Sequence, residues 1–230
     1  MQIVAGLRTL RAQAHTILRD AIVEGRFVPG ERLNEVQLAQ EIGISRGTLR
    51  EAMRNLEQEG LLVSNSHRGT FVRQFTAQEA DELQEVRLGL EITAACRIGE
   101  KLEPAAERLL EDRLAQLDTA YATPLPFPER LKADLGFHEA ICEAAGNRTL
   151  TNVWRSLVGN ITVMVLSVGP ERMTPLQNPA AHRELIGVIE TGDPVRIREA
   201  FTEHFAAGQR VIAAAFAVRD APARLHDRTG

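Results

Sequence analysis

Asp134 and His138 stand four residues apart in Asp134-Leu135-Gly136-Phe137-His138, a spacing that puts both side chains on one face of a helix. Two further imidazoles, His182 in Ala181-His182-Arg183 and His204 in Glu203-His204-Phe205, fall on separate segments downstream. One carboxylate and three imidazoles suit a divalent transition ion, Zn²⁺ first and Ni²⁺ or Mn²⁺ as alternatives, with positions open for water or a ligand. By spacing alone the same residues read more commonly as a surface pair and scattered hydrogen-bonded histidines. Arg87 also carries chemistry. Its neighbours Val86, Leu90 and Ala94 are apolar; turned inward it requires an anion such as a carboxylate, and turned along its helix it pairs with Glu85 or Glu91. Asn160, on an otherwise apolar stretch, is a second pocket candidate, with Arg155 and Thr162 weaker ones.

A different chemistry belongs to Arg46, Arg50 and Arg54. They recur every four residues and form one lane opposite Leu49, Met53 and Leu56. Guanidinium groups reach guanine bidentately or clamp phosphate, and the free N–H groups beside Ser45 and Thr48 suit a phosphate oxygen. Taken alone, such a lane is usually a solvated face. The surrounding elements change that reading.

Residues 7–25 carry an apolar stripe at Leu7, Leu10, Ala14, Ile17, Leu18, Ala21 and Ile22, stopped by Gly25. A short helix is predicted from Glu35 to Ile42, and a third from Arg46 to Glu59, with Ser45 as its N-cap and Gly60 as its stop. Leu61–Ser64 and Thr70–Arg73 flank a polar loop bearing Gly69, which predicts a hairpin. Three helices and a hairpin make a winged helix-turn-helix, whose second motif helix enters the major groove. His67, Arg68 and Gly69 at the hairpin tip would meet backbone or minor groove.

Beyond Gln78 the pattern is helical throughout: 78–100, 103–121, 128–145, 148–169, 179–191 and 194–218, separated by Pro and Gly breaks that include Gly169-Pro170. The fold class is therefore mainly α, a winged helix-turn-helix followed by an antiparallel all-α bundle. The domains are expected at 1–75 and 76–220, with a frayed tail over 221–230.

Charge follows the same division. The first 75 residues hold ten Arg, no Lys and eight acidic residues; the rest holds 17 basic and 23 acidic ones. A mildly basic front on an acidic back fits a DNA reader fused to a domain that stays off DNA. Cys96 and Cys142 stand alone in apolar stretches, which excludes a disulfide framework and a CxxC site. The absence of any bilayer-length apolar run predicts a cytoplasmic protein without membrane contact.

The stretch ILRDAIVEGRFVPGERLNEVQLAQEIGISRGTLREAMRNLEQEGLLVSNSHRGTFV resembles the DNA-binding domain of GntR transcriptional regulators. Matching positions include Gly25, Pro29-Gly30, Leu38-Ala39, Ser45-Arg46, Arg50-Glu51-Ala52, Glu59-Gly60-Leu61, Arg68-Gly69 and Val72. The resemblance implies DNA contacts from Ser45, Arg46, Thr48 and Arg50, with His67, Arg68 and Gly69 in the wing. Gly47 departs from the usual Thr or Pro, so base preference does not carry over.

Residues 79–218 resemble the FCD ligand-binding domain of the FadR branch, through Glu85-Val86-Arg87 with Leu90-Glu91, Asp134 with Phe137-His138, Gly146-Asn147 with Leu150, His182, and His204. In that family the positions of Asp134, His138, His182 and His204 are the metal ligands. The implied function is a homodimeric repressor or activator on palindromic operator DNA, controlled by a small organic acid at the metal and Arg87. A metal-responsive regulator and a metallohydrolase are the alternatives; no separate general base favours the second, and an enzyme is not expected.

Overall fold

The computed structural model describes residues 2–174 and 178–220, with the side chains of 2–9, 170, 171 and 220 left aside. Leu7's side chain and the expected tail over 221–230 lie outside the described residues.

Helix α1 runs from Gln2 to Val23 and buries Ala14, Leu18, Ala21 and Ile22. Leu10 and Ile17 remain more than 40% exposed, so the buried stripe is narrower than the sequence pattern. Helix α2, Glu35–Ile42, is capped by Asn34, whose side chain accepts from the amides of Val36 and Gln37. Helix α3, Arg46–Gln58, is capped by Ser45, whose Oγ accepts from the Thr48 amide at 3.1 Å. Leu49, Ala52, Met53 and Leu56 face inward along α3. Each large apolar side chain among them contributes roughly 1.5–3 kcal/mol by leaving water.

The wing is an antiparallel pair, β1 Leu62–Asn65 and β2 Gly69–Val72, in register from Leu62 opposite Val72 to Asn65 opposite Gly69. Arg32 bridges to Phe71 and lays the chain before α2 beside this hairpin.

Six long helices follow: α4 Ala77–Glu100, α5 Pro104–Ala122, α6 Phe127–Ala144, α7 Arg148–Val168, α9 Pro179–Glu190 and α10 Pro194–Asp220, with a short α8, Pro170–Met173, between α7 and α9. At the Gly169-Pro170 break the structure adds an element. Gly169, at φ +103°, does end α7, but Pro170 is pre-set for a first helical turn and starts α8. A capping box fixes the start of α4, Thr76 accepting from the Glu79 amide while Glu79 accepts from the Thr76 amide. Helix α4 packs against α6, α7, α9 and α10 and so runs through the middle of the domain. Trp154, Phe137, Phe201 and Phe216 are fully enclosed around it. No helix among the described residues is long and apolar enough to cross a membrane.

Candidate effector and metal centre

Helical periodicity on α4 turns Gln84, Arg87, Glu91 and Ala94 to one side, and all four are buried. Val86 points the other way and is half exposed, while Leu90 is half buried. Asp134 and His138 of α6 face them from one helical face, both buried. His182 comes from α9 and is fully buried; His204 comes from α10.

The three imidazoles converge. Their candidate ligand atoms all lie within 4.8 Å of one another, and the ring centroids are 4.9–5.4 Å apart. Asp134 joins them, its Oδ1 standing 3.1 Å from His182 Nε2. Asp134, His138, His204 and Arg87 line one cavity of about 630 Å³, walled by Leu131, Val165, Met173 and Leu185 and flanked by Glu184 and Glu203.

Hydrogen bonding fixes which nitrogens remain free. Burial pushes the Glu91 carboxyl up, but the charges of His138 and Arg87, with hydrogen bonds from His138 and Trp154, outweigh it and hold the group at about 2. Glu91 is therefore an acceptor only. Arg87 Nε donates to it at 2.8 Å, Trp154 Nε1 at 3.0 Å and His138 Nδ1 at 2.6 Å. With its proton on Nδ1, neutral His138 keeps the Nε2 lone pair free. His182 Nδ1 donates to the Asn178 carbonyl at 2.9 Å, which leaves Nε2 as the lone-pair nitrogen of that ring too.

That nitrogen supplies the test of fit for a metal. His182 Nε2 is buried without a hydrogen-bond partner among the described residues, although a carboxylate oxygen lies 3.1 Å away. When the ring is neutral, two lone pairs face each other, an arrangement that calls for a cation, either a metal ion or the proton toward which Asp134 raises His182. The Asp134 carboxyl, pushed up by burial but pulled down further by the neighbouring His182, sits at about 2 and is ionised. Burial together with the charges of His138 and His182 holds His204 down at about 3, so that ring keeps a lone pair to donate. Burial also lowers His138, whereas His182, pushed down by burial, is raised further by the hydrogen bond and charge of Asp134. The donor set fits a divalent ion, and Glu91 and the Asn178 carbonyl are the outer partners that orient its imidazoles.

Arg87 takes the expected pair along its own helix and also borders the cavity. It pairs with Glu91 through Nε, and its guanidinium carbon lies 4.8 Å from the Phe205 ring centre on the cavity wall. Asn160 is corrected: it does not line this cavity. Its Oδ1 accepts from Arg73 Nη1 at 3.1 Å, and its Nδ2 donates to the Glu59 carbonyl at 3.2 Å, so it joins α7 to the winged domain. A lone polar residue on an apolar helix face marks a buried partner, which here is backbone of the other domain and not a ligand. Arg155 pairs with Glu139 and Glu143, and Thr162 donates to the Val158 carbonyl; neither reaches the cavity.

On the winged domain Ser45, Arg46, Arg50 and Arg54 are exposed along α3, and Thr48 is half-buried beside them. Arg50 is paired with Glu35 and Arg54 with Glu51, each at 2.7 Å, whereas Arg46 lines a shallow recess with Arg32 and Gly69. His67 and Arg68 are exposed at the hairpin tip, and Gly69 there holds φ +98°. Sequence reasoning missed Arg32, whose side chain lies against Gly69 such that a Cβ there would stand 3.0 Å from Arg32 Nε.

Residues 10–72 match the bacterial regulatory proteins of the gntR family, and residues 82–207 match the FCD domain. The chain is 34% identical to the HTH-type transcriptional regulator YdhC of Bacillus subtilis over 61% of this chain and 63% of that protein. It is 30% identical, over 86% of this chain and 87% of the relative, to a Paenarthrobacter nicotinovorans protein named for repression of a D-xylose utilization operon. A crystal structure of a GntR regulator from Rhodococcus sp. RHA1 superposes with a TM-score of 0.77 at 24% identity, covering 89% of this chain and 98% of that one, which is agreement in fold.

Proposed function

Since this chain belongs to the gntR family of bacterial regulatory proteins, DNA-binding transcriptional regulators and not enzymes, and carries an FCD domain, we propose that its operator affinity is set by a small carboxylate bound at a divalent-metal centre in the helical domain. The observation that carries this reading is the meeting of Asp134, His138, His204 and Arg87 around one cavity, with His182 behind them against Asp134 and His204. Residues 1–75 would form the DNA-binding domain and 76–220 the effector and dimerisation domain.

Charge explains why ion and acid belong together. In the protein alone Arg87 faces two carboxylates, Glu91 and Asp134, and Asp134 raises His182, so the site offers an acid no free positive charge. A divalent ion held by Asp134 and the three histidines would add that charge and a Lewis-acidic point for a carboxylate oxygen. Arg87 already spends Nε on Glu91, and its remaining N–H groups are the donors for the acid. Glu91 holds both Arg87 and His138, so the anion anchor and one metal ligand share a single support.

At the other end, Arg46, Arg50, Arg54, Ser45, Thr48, His67, Arg68 and Gly69 would meet a palindromic operator, one winged domain of a homodimer on each half-site. The pairs of Arg50 and Arg54 are exposed ion pairs of about 0–1 kcal/mol, readily exchanged for phosphate contacts. Arg32, beside Arg46 and Gly69, extends the same face.

The test is thermal stability of zinc-loaded and metal-stripped protein against a panel of small carboxylic acids. A ligand at about 100 times its Kd adds roughly 2.7 kcal/mol to the native state. One or more acids should raise the melting temperature of the loaded protein and none that of the stripped protein. Acid-independent stabilisation by metal alone, with operator affinity following free metal, would make the ion the signal instead.

A further inference from the structure

Arg87, the metal ligands and the apolar walls account for most of the cavity, but one wall residue keeps a polar atom without a partner. Gln84 lies three residues before Arg87 on α4, is 5% exposed, and lines the same cavity. Its Oε1 is buried with no hydrogen-bond partner among the described residues. A buried amide left unpaired is costly, and native interiors rarely retain one without a use for it. Across from it stands Gly208 of α10, where even a Cβ would be 3.8 Å from Gln84 Nε2. The backbone at Gly208 does not require glycine, since its φ is not positive. The missing side chain keeps the space beside the amide open.

We infer that Gln84 is a specificity-determining residue of the effector site, and that the effector is a monocarboxylate with a hydroxyl on a carbon close to its carboxyl group. This rests on reading the cavity as an acid site. Residues three apart on a helix have Cβ atoms about 5–6 Å from each other. An acid anchored by its carboxylate at Arg87 therefore presents its next one or two carbons to Gln84. A hydroxyl both donates and accepts, and so satisfies the amide in either of its two orientations. An ammonium group in that place would sit beside the Arg87 guanidinium. A second carboxylate would upset the charge balance set by the ion and would approach Glu184 or Glu203 at the cavity edge.

The inference is tested on the full zinc-loaded chain by titration calorimetry with matched acids, lactate against propionate and 3-hydroxybutyrate against butyrate. In at least one pair the hydroxy acid should bind about tenfold or more tighter, as expected when the unhydroxylated partner leaves a buried polar group unpaired. Gln84→Met, of similar length but without the amide, should bring that ratio to within about twofold while the unhydroxylated acid keeps its affinity. The wild-type comparison stands whether or not the variant folds. Equal binding within both pairs overturns the inference and leaves the acid site intact. Discrimination that survives in Gln84→Met also overturns it, since another group then reads the hydroxyl. If none of the four acids binds the loaded protein but other acids do, the hydroxyl falls alone; if no acid binds, the acid site falls and this inference with it.

Discussion

Asn160 of α7 sits directly over Gly60, the residue that turns the chain from α3 into the wing. A Cβ on Gly60 would come 2.3 Å from Asn160 Oδ1, and Gly60 also holds φ +74°. The Asn160 amide reaches past this gap to the Glu59 carbonyl and accepts from Arg73 beyond the wing. Five residues further along α7, Val165 lines the cavity of Arg87 and Asp134. A single helix thus touches both that cavity and the winged domain, and the bare Cα of Gly60 permits it.

This contact yields a double-mutant cycle. Gly60→Ala should destabilise the protein by two separable effects, strain at positive φ of roughly 1 kcal/mol and collision with Asn160. In an Asn160→Ala background only the strain remains. Urea unfolding of the four proteins should give a coupling of about 1 kcal/mol or more. Strict additivity would show that the domains are not held in this contact.

A second expectation concerns Glu91, which takes hydrogen bonds from Arg87, His138 and Trp154 while fully buried. Gln in its place removes the charge that balances Arg87 and turns one acceptor into a donor. Breaking a buried pair in this way costs about 3–5 kcal/mol. Loss of the His138 orienting contact should also weaken zinc binding about 10–100-fold. Chelator competition and urea unfolding read the two effects separately. A variant with normal zinc affinity would show that His138 does not depend on Glu91 for its orientation.

Asp134→Asn separates the loaded and stripped proteins. The carboxylate faces Nε2 of His182 and raises that ring, so removing its charge takes away a metal ligand and, once His182 is neutral, an acceptor–acceptor conflict. Zinc-dependent stabilisation should disappear. The stripped variant at slightly alkaline pH should stay within about 1 kcal/mol of stripped wild type, because an Asn amide can donate to that nitrogen. A large loss of stability in the stripped variant would mean that the site is a structural ion pair.

The fold was legible because local signals agree with one another: Ser45 caps α3, Gly60 stops it, and Leu49, Met53 and Leu56 mark its buried face. His138, His182 and His204 were legible only through resemblance, since no helical period links residues on three different helices. Asn160 was misplaced because its apolar neighbours signal burial without saying against which domain. Glu91 was legible as a partner of Arg87 but not of His138 and Trp154, and Gln84 was opaque, for a related reason. A carboxylate with three buried donors and an amide whose oxygen has no partner differ in their surroundings, and residue spacing records nothing of that. Arg32 sits in a loop with no period of its own, and only the bridge to Phe71 brings it beside Arg46.

The last expectation can be checked without knowing the operator. Each arginine that neutralises a phosphate releases counterion, so its removal should lower the slope of log affinity against log salt by about one. On a random-sequence duplex, Arg46→Ala should show that loss in full, because Arg46 stands at the exposed start of α3 beside Arg32. Arg54→Ala should show less, since Arg54 must first leave Glu51, 2.7 Å away. Glu51→Gln frees that guanidinium and should tighten binding modestly, by no more than a few-fold given the small worth of an exposed pair. Fluorescence anisotropy across a salt series measures all three. An unchanged slope in Arg46→Ala would move the DNA-reading face away from the start of α3.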